Sequence, residues 1–378
     1  MVTDNHHTRR FVSSSADDDD IISNLPEDLI NPILEWLPVK DAVRTSVLSK
    51  KWRYRWTTMK SLAFDNHFSQ QFLNMGAFSC HGFVRVISQI MIKHQGPILK
   101  FVLHISKEIV LDSFQEVDQW MLILSRNNVR ELQIVKFNQF YQIPTSVFSC
   151  RELRVLGLYK CILKPPLEFQ GFPNLEVISL LCVNFGASLG GTVINLPQLK
   201  RFKLFSCVNV NNFNIKAENL QYLRILAAEK FPNSLPHVVQ CLEELEFTSF
   251  SFGDLNQLQG ALCMLQNSPN LKGLRVTHVP MGPAQADLEL TSDYIESLDC
   301  LDQTLFMLKT VEMTSLEGSR PELLFVKLLL DHSPHLESMI IRPSATVDAE
   351  KRLNIAKDVM LFPRASSKAK MVYLDPQP

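Results

Sequence analysis

From Val129 onward the chain repeats one spacing: an apolar residue, two others, an apolar residue, one other, an apolar residue. The sets are Val129/Leu132/Ile134, Leu153/Leu156/Leu158, Leu175/Ile178/Leu180, Leu199/Phe202/Leu204, Leu220/Leu223/Ile225, Leu242/Leu245/Phe247 and Leu271/Leu274/Val276, and their first members lie 24, 22, 24, 21, 22 and 29 residues apart. Two less regular sets follow, Leu308/Val311/Met313 and Leu336/Met339/Ile341, and Ile98/Phe101/Leu103 forms an early one. The last two positions of each set are two residues apart, the period of one face of a strand. Each set therefore predicts a short strand with its apolar residues turned inward. Stacked units predict a parallel sheet over a continuous core, with the intervening residues lining a concave surface.

That surface is expected to show Glu131, Gln133, Val155, Tyr159, Val177, Leu181, Arg201, Lys203, Phe205, Tyr222, Arg224, Glu244, Glu246, Arg275 and Thr277. Its charge is mixed, basic on the middle units and acidic at Glu244 and Glu246. Tyr159, Arg201, Lys203, Phe205, Tyr222, Arg224, Glu244 and Glu246 are the candidates for contact with a target, because alternate strand residues are the side chains such an array offers to a partner. Connections such as Lys164-Pro165-Pro166 and Gly171-Phe172-Pro173 are rich in chain breakers, so most of the convex side is expected as loop and short helical turns. Longer helices are expected over 255–265, where Leu258, Leu262 and Leu265 share a stripe, and over 321–331. The pattern and its period resemble the leucine-rich repeat.

Ahead of the repeats lies a different pattern. Pro26 suits a first helical turn, Glu27 and Asp28 follow where the helix dipole favours anions, and Leu29, Ile33 and Leu37 form a stripe beside Ile30 and Leu34. Pro32 sits awkwardly inside that run, and Leu37-Pro38 ends it. A second helix is expected through Asp41, Ala42, Val43 and Val47, and a third from an N-cap at Ser49, carrying Trp52 and Trp56 one turn apart. Three short helices cannot bury so many large apolar side chains among themselves, and the surplus asks for a partner. Between 40 and 60 the basic residues Lys40, Arg44, Lys50, Lys51, Arg53, Arg55 and Lys60 face the single acid Asp41, which favours an acidic partner.

The order Leu25-Pro26, Leu29, Ile33-Leu34, Leu37-Pro38, Lys40-Asp41-Ala42-Val43-Arg44-Thr45-Ser46-Val47-Leu48-Ser49-Lys50-Lys51-Trp52 and Trp56 resembles the F-box in its plant form. That resemblance implies docking on an acidic Skp-type adaptor, itself bound to a cullin scaffold, and so a subunit of a ubiquitin ligase. Carried over by position, it implies that Leu25, Pro26, Leu29, Ile33, Leu34, Leu37, Pro38, Val39, Val43, Leu48, Ser49 and Trp52 contact the adaptor or form the contact surface. Near the other end, Leu308-Lys309-Thr310-Val311-Glu312-Met313, Phe325-Val326-Lys327-Leu328-Leu329-Leu330, Ser333-Pro334-His335-Leu336-Glu337 and Phe362-Pro363-Arg364-Ala365-Ser366-Ser367 are similar to the FBD domain, which often ends plant F-box proteins with leucine-rich repeats. Periodicity orders this piece helix-strand-helix-strand-helix, and it is expected to cap the solenoid by hiding its last open sheet edge.

The expected architecture is α/β: an N-terminal three-helix F-box, a leucine-rich-repeat solenoid with a parallel sheet, and a capping C-terminal FBD α/β segment. The expected divisions are a disordered leader over 1–20, the F-box over 21–67, a linker with irregular repeats over 68–128, regular repeats over 129–295 and the FBD segment over 296–378. A chain of 378 residues exceeds what one ordinary core serves, which an array accommodates.

Composition changes this picture little. A net charge of -1 gives no sign of a nucleic-acid binder. Eight scattered cysteines without a C-x-x-C pair read as reduced and mostly buried. The first twenty residues, with Asp17 to Asp20 at their end, lack the apolar run of a signal peptide, and stretches such as 323–330 are far too short to cross a bilayer. The protein is expected in the nucleus or cytoplasm, with no membrane and no nucleic acid among its partners.

Patterns that could suggest catalysis or metal binding fail on their neighbouring residues. Gly186-Ala187-Ser188-Leu189-Gly190 fits a nucleophile elbow, but Pro197 follows too soon for the helix an elbow needs. His332 and His335 flank Ser333-Pro334, which breaks ligand geometry, and no cysteine cluster completes a metal set. No phosphate or dinucleotide fingerprint occurs. A non-catalytic role without cofactor or metal is expected, presenting an unknown target protein to the ligase. The alternatives are a small-ligand receptor, with Arg201, Lys203 and Arg224 as a basic floor, and a repeat scaffold that works without a ligase.

Overall fold

A computed structural model describes residues 25–74, 80–136, 138–186, 193–209, 214–226, 240–279, 285–298 and 305–376. The expected leader, residues 187–190 of the Gly-Ala-Ser-Leu-Gly stretch, and Cys300-Leu301 lie outside these.

Twelve parallel strands form one sheet whose spatial order follows the chain. They are β1 (Ser61–Phe64), β2 (Lys100–Ile105), β3 (Glu131–Lys136), β4 (Val155–Tyr159), β5 (Val177–Leu181), β6 (Arg201–Phe205), β7 (Tyr222–Leu226), β8 (Glu244–Phe250), β9 (Gly273–His278), β10 (Thr310–Leu316), β11 (Ser338–Pro343) and β12 (Lys370–Tyr373). Every residue of the ten apolar sets is buried, at most 3 % exposed. The strict period of two explains this: from β2 to β7 burial alternates along each strand, and the sets fall on the covered face. Met59, Leu62 and Phe64 carry the same spacing and are buried too, so the sheet begins directly behind the N-terminal helices rather than after a linker.

Adjacent turns are tied by more than packing. From β2 to β11 the N–H of the residue before the strand donates to the carbonyl of its counterpart one turn back, as in Arg154 to Arg130 at 2.7 Å, Glu176 to Arg154 at 2.8 Å and Lys200 to Glu176 at 2.9 Å. Asn174, Asn219 and Asn270 repeat the bond with their side chains, reaching the carbonyls of Arg151, Pro197 and Gln240 at 3.0, 2.6 and 2.7 Å. These satisfy loop carbonyls that a wide turn would otherwise leave open.

The helices lie in the connections. The expected 255–265 and 321–331 appear as Leu255–Gln266 and Arg320–His332. In chain order the helices are α1 (Glu27–Trp36), α2 (Val39–Arg44), α3 (Asn66–Asn74), α4 (Cys80–Lys93), α5 (Gln115–Ser125), α6 (Leu255–Gln266), α7 (Gln285–Glu296), α8 (Arg320–His332) and α9 (Ala349–Leu361). Asp254 caps α6 by accepting the N–H groups of Asn256 and Gln257 at 2.9 and 3.2 Å, and Ser319 with Glu322 forms a capping box on α8. Among the described residues no helix is long and apolar enough to cross a membrane.

The C-terminal segment departs from its expected order. From Thr310 it runs strand-helix-strand-helix-strand, and it extends the sheet by three strands instead of hiding its edge. The sheet ends on β12, only four residues long, whose inward Met371 and Tyr373 stay half-buried because no further turn covers them. The segment is locked to the repeats by a buried pair. Glu322 accepts the N–H groups of Glu317 and Ser319 at 3.0 and 2.9 Å, and its other oxygen lies 3.3 Å from His278 Nε2. Desolvation raises its carboxyl pKa above the ordinary range.

Lys136 is a second buried charge. Its ammonium donates to Gln139 Oε1 at 3.1 Å and lies 4.5 Å above the Phe114 ring, while burial pushes its pKa down to about 8. A lysine whose folded pKa is depressed favours the unfolded, protonated state at neutral pH, and this cost vanishes above the unfolded value of about 10.4. Lys136→Met should therefore raise the urea midpoint at pH 7, by about 1 kcal/mol or more in stability, with the gain over wild type shrinking from pH 8 to pH 10. Backbone geometry gives a separate expectation at two glycines. Gly171 has φ +130°, and a Cβ there would strike the Asn195 carbonyl, whereas at Gly157 it would meet only the flexible Gln133 side chain at 3.3 Å. Gly171→Ala should lower stability by roughly 1–3 kcal/mol in urea unfolding, and Gly157→Ala should leave it nearly unchanged.

Candidate functional site

Two surfaces remain once the core is assigned: one on the N-terminal helices and one on the open face of the sheet. On α1 the apolar residues split. Ile30 and Leu34 are fully buried, while Leu29 is 52 % exposed, Ile33 42 % and Trp36 90 %. The outward stripe is thus Leu29, Ile33 and Trp36, at the i, i+4, i+7 spacing of one helical face, with Leu37 half-buried beside it. Pro26 and Pro38 are exposed at the two ends of α1, and Val47, Leu48 and Tyr54 stand out beyond α2.

Several expected contact residues are elsewhere. Leu34, Val39 and Trp52 lie inside the chain's own core, so they shape the head and offer no surface. The third α-helix from Ser49 does not form. Thr45–Val47 and Arg55–Thr58 are 3₁₀ turns, and the hydroxyls of Thr45, Ser46, Thr57 and Thr58 bond to carbonyls three residues back at 2.6–3.0 Å. Such bonds compete with the α ladder, and the tighter winding turns both Trp52 and Trp56 inward. Ser49 caps nothing. Leu25 and Val43 are half-buried. Trp36, Val47 and Tyr54 were missed, although Trp36 could have been found from its place seven residues after Leu29.

The head is fused to the first turn of the sheet. Thr57 O accepts the N–H groups of Gln95 and Gly96 at 2.8 and 3.2 Å, Lys60 O accepts those of Leu99 and Lys100 at 2.8 and 3.0 Å, and Lys40 reaches Gln71 at 3.1 Å. Trp52, Trp56 and Met59 continue into the core beneath β1. Part of the apolar surplus is therefore covered by the chain itself, and the rest stays exposed on α1 and in the segment after α2. Lys50, Lys51 and Arg53 are exposed in that same segment.

On the sheet the outward residues form rows across the strands. One row is Gln133, Gly157, Ser179, Lys203, Arg224, Glu246, Arg275 and Glu312, and another is Val135, Tyr159, Leu181, Phe205 and Leu226. From β7 to β10 the charges satisfy one another. Glu246 lies 3.2 Å from Arg224 and 3.7 Å from Arg275, accepts the Tyr222 hydroxyl at 2.6 Å, and Arg275 reaches Glu312 at 2.9 Å. Burial, with the Glu246 carboxylate beside it, raises the Tyr222 hydroxyl pKa, and the bond to Glu312 raises that of Arg275. Glu246, expected as an exposed contact residue, is only 7 % exposed because its three partners enclose it. Arg224 is likewise engaged, stacking 5.1 Å over the Phe205 ring. Glu244 is exposed and lies over Gly273, where a Cβ would run into its carboxylate.

Tyr159, Lys203, Phe205 and Tyr222 are half-buried on this face, and Arg201 is exposed. The cavities form apart from these five residues. One of about 880 Å³ lies between Phe148, Phe169, Gly171 and Asn195, and two of about 330 Å³ lie beside His104 and beside Asp112. None of these three is lined by Arg201, Lys203 or Arg224.

Comparison with known proteins assigns these two surfaces to recognised units. The profile of the F-box domain matches residues 22–64, and that described as At1g61320/AtMIF1, LRR domain matches residues 90–365. The chain is 28 % identical to the F-box/FBD/LRR-repeat protein At1g13570 of Arabidopsis thaliana, over 94 % of this chain and 98 % of the relative. It is 22 % identical to the F-box/FBD/LRR-repeat protein At5g56420 and 24 % identical to the FBD-associated F-box protein At5g56370 of the same plant, each over 94 % of this chain and nearly all of the relative.

The self-paired half of the strand face should be measurable as stability. Glu246→Ala leaves Arg224 and the Tyr222 hydroxyl without their carboxylate and should cost about 1–3 kcal/mol in urea unfolding. Glu244→Ala, exposed one row away, should stay within about 0.5 kcal/mol of wild type.

Proposed function

The chain belongs to the plant F-box/FBD/LRR-repeat family, and on that premise we propose that it is the substrate-recognition subunit of a Skp-cullin-F-box ubiquitin ligase. Proteins that join an F-box to leucine-rich repeats serve in general as such recognition subunits, and the F-box in general binds a Skp-type adaptor. The observation that carries the reading for this chain is the outward stripe of Leu29, Ile33 and Trp36, together with the exposed Val47, Leu48 and Tyr54, within the residues that match the F-box. Six large apolar side chains on one short head are more than solvent alone accounts for. The exposed Lys50, Lys51 and Arg53 add the charge that an acidic adaptor would meet.

On this reading the adaptor, and through it a cullin scaffold, holds one end of the molecule, and the strand face holds a target protein. The chain contributes no reacting group. It raises the local concentration of a target lysine near a ubiquitin-charged enzyme carried by the scaffold, which is catalysis by proximity. The fusion of head and sheet supports that role, because a rigid link fixes where the target sits. The nucleus or the cytoplasm is the place of action. The receptor alternative is less well supported: the basic floor it needs is an open surface at which Arg224 is already paired with Glu246.

Surface substitutions test the docking cleanly, since deleting the head would also strip Trp52 and Trp56 from the core. Leu29→Glu with Trp36→Ala should reduce co-purification of a Skp-type adaptor at least tenfold, with far-UV circular dichroism and thermal midpoint unchanged. Undiminished capture of the adaptor by this folded variant would remove the docking assignment.

A further inference from the structure

The charges of the strand face are not evenly neutralised, and the exception adjoins its least polar part. On β4 and β5 the outward residues are Val155, Gly157, Tyr159, Val177, Ser179 and Leu181, without a charge among them. All six are half-buried. Gly157 and Ser179 are the small pair in the middle row, so the backbone is least covered there, between the valines on one side and Tyr159 with Leu181 on the other, with the flexible Gln133 side chain leaning over Gly157 from β3. The next strand, β6, presents Arg201 and Lys203 in register with Val177 and Ser179, and Phe205 in register with Leu181.

Arg201 and Lys203 differ from every other cation of this face on β2 to β9. Lys100 pairs with Glu131 at 2.9 Å, Arg224 with Glu246 at 3.2 Å and Arg275 with Glu312 at 2.9 Å. Among the described residues neither Arg201 nor Lys203 has a carboxylate partner; Lys203 only approaches the Tyr222 ring, at 5.9 Å from its centre. Two adjacent positive charges thus stand unneutralised beside a shallow apolar trough two strands wide.

We propose that this trough and its two cations bind an acidic, apolar peptide segment of the target protein. An aliphatic or aromatic side chain covers Gly157 and Ser179, and an Asp or Glu a few residues away meets Arg201 and Lys203. The dimensions agree. Neighbouring strands are about 4.8 Å apart and an extended peptide advances about 3.3 Å per residue, so β4 to β6 is spanned by three or four residues laid across the strands. The surface is open, which suits a peptide and gives a small molecule little to be enclosed by. A carboxylate offers the complementary charge at a partly desolvated site, where it fixes orientation and register as well as affinity. This inference rests on the reading that the repeats receive the target, and it names the kind of segment they receive.

The test uses the full chain, immobilised and panned against a phage-displayed library of random dodecapeptides. Enriched peptides should carry Asp or Glu within four residues of Leu, Ile, Val, Phe or Met. A synthetic peptide of the enriched sequence should bind more weakly as salt rises. Arg201→Glu with Lys203→Glu should weaken that peptide at least tenfold, Ser179→Trp should do the same by filling the trough, and Lys357→Glu on the exposed side of α9 should change nothing. Arg201→Lys should retain most of the affinity. No enrichment, enrichment without acidic residues, binding only after phosphorylation of the peptide, or indifference to the double reversal in a folded variant would each overturn the proposal. Adaptor capture, measured on the same preparations, keeps the two readings apart. Peptide binding without adaptor binding would count against the ligase assignment alone, and adaptor binding without acidic-peptide selection would count against this inference alone.

Discussion

Leu156 lies in register with Leu132 and Ile178, Leu158 with Ile134 and Leu180, and the same alignment continues from β1 to β12. A shift of one residue in any strand would turn its buried leucines to the concave face and put residues such as Arg201 or Glu246 into the core. Register is therefore held by the hydrophobic effect at every turn, and the bonds between successive carbonyls and N–H groups sharpen what burial has already selected. Because each turn contacts only its neighbours, the array can change its connection from a few irregular residues to a helix such as α6 or α8 without disturbing the sheet.

The two ends of the array solve the same problem differently. At the start, Trp52, Trp56 and Met59 carry the core into the helical head, so no bare turn is exposed. At the other end the sheet simply shortens: β12 is four residues long and its inward side chains stay half-covered. The buried contact between Glu322 and His278 ties that last portion back to β9. A head that is both cover for the array and bearer of an exposed apolar stripe couples an external partner to the sheet through a single packed body.

The concave face is divided by electrostatics. Between β7 and β10 opposite charges lie on adjacent strands and neutralise one another, which leaves little attraction for a partner. On β6 the same kinds of side chain, Arg201 and Lys203, have only Val177 and Ser179 on one side and Tyr222 and Arg224 on the other. Identical residue types thus have opposite roles according to what the neighbouring turn places beside them.

The period of the apolar sets determined ten of the twelve strands, β2 to β11, their parallel order and which residues lie on each face, because alternation and burial are local properties that every turn repeats. It also placed α6 and α8, whose stripes and caps are contiguous in the chain. The outward face of the head was only partly legible: Leu29 and Ile33 were found, but the inward turn of Leu34, Val39 and Trp52 depends on the core that the head shares with the first turn of the sheet. After Ser49 the chain winds as 3₁₀ turns, with the Thr57 and Thr58 hydroxyls on carbonyls three residues back, and Trp52 and Trp56 enter a core that only the folded chain supplies. Glu246 gave no sign of burial in the sequence, since its partners Tyr222, Arg224 and Arg275 come from strands more than twenty residues away on either side. Sequence fixes what a side chain can do along its own strand; whether its charge is spent or free is settled across strands, by register, and that is a property of the folded array alone.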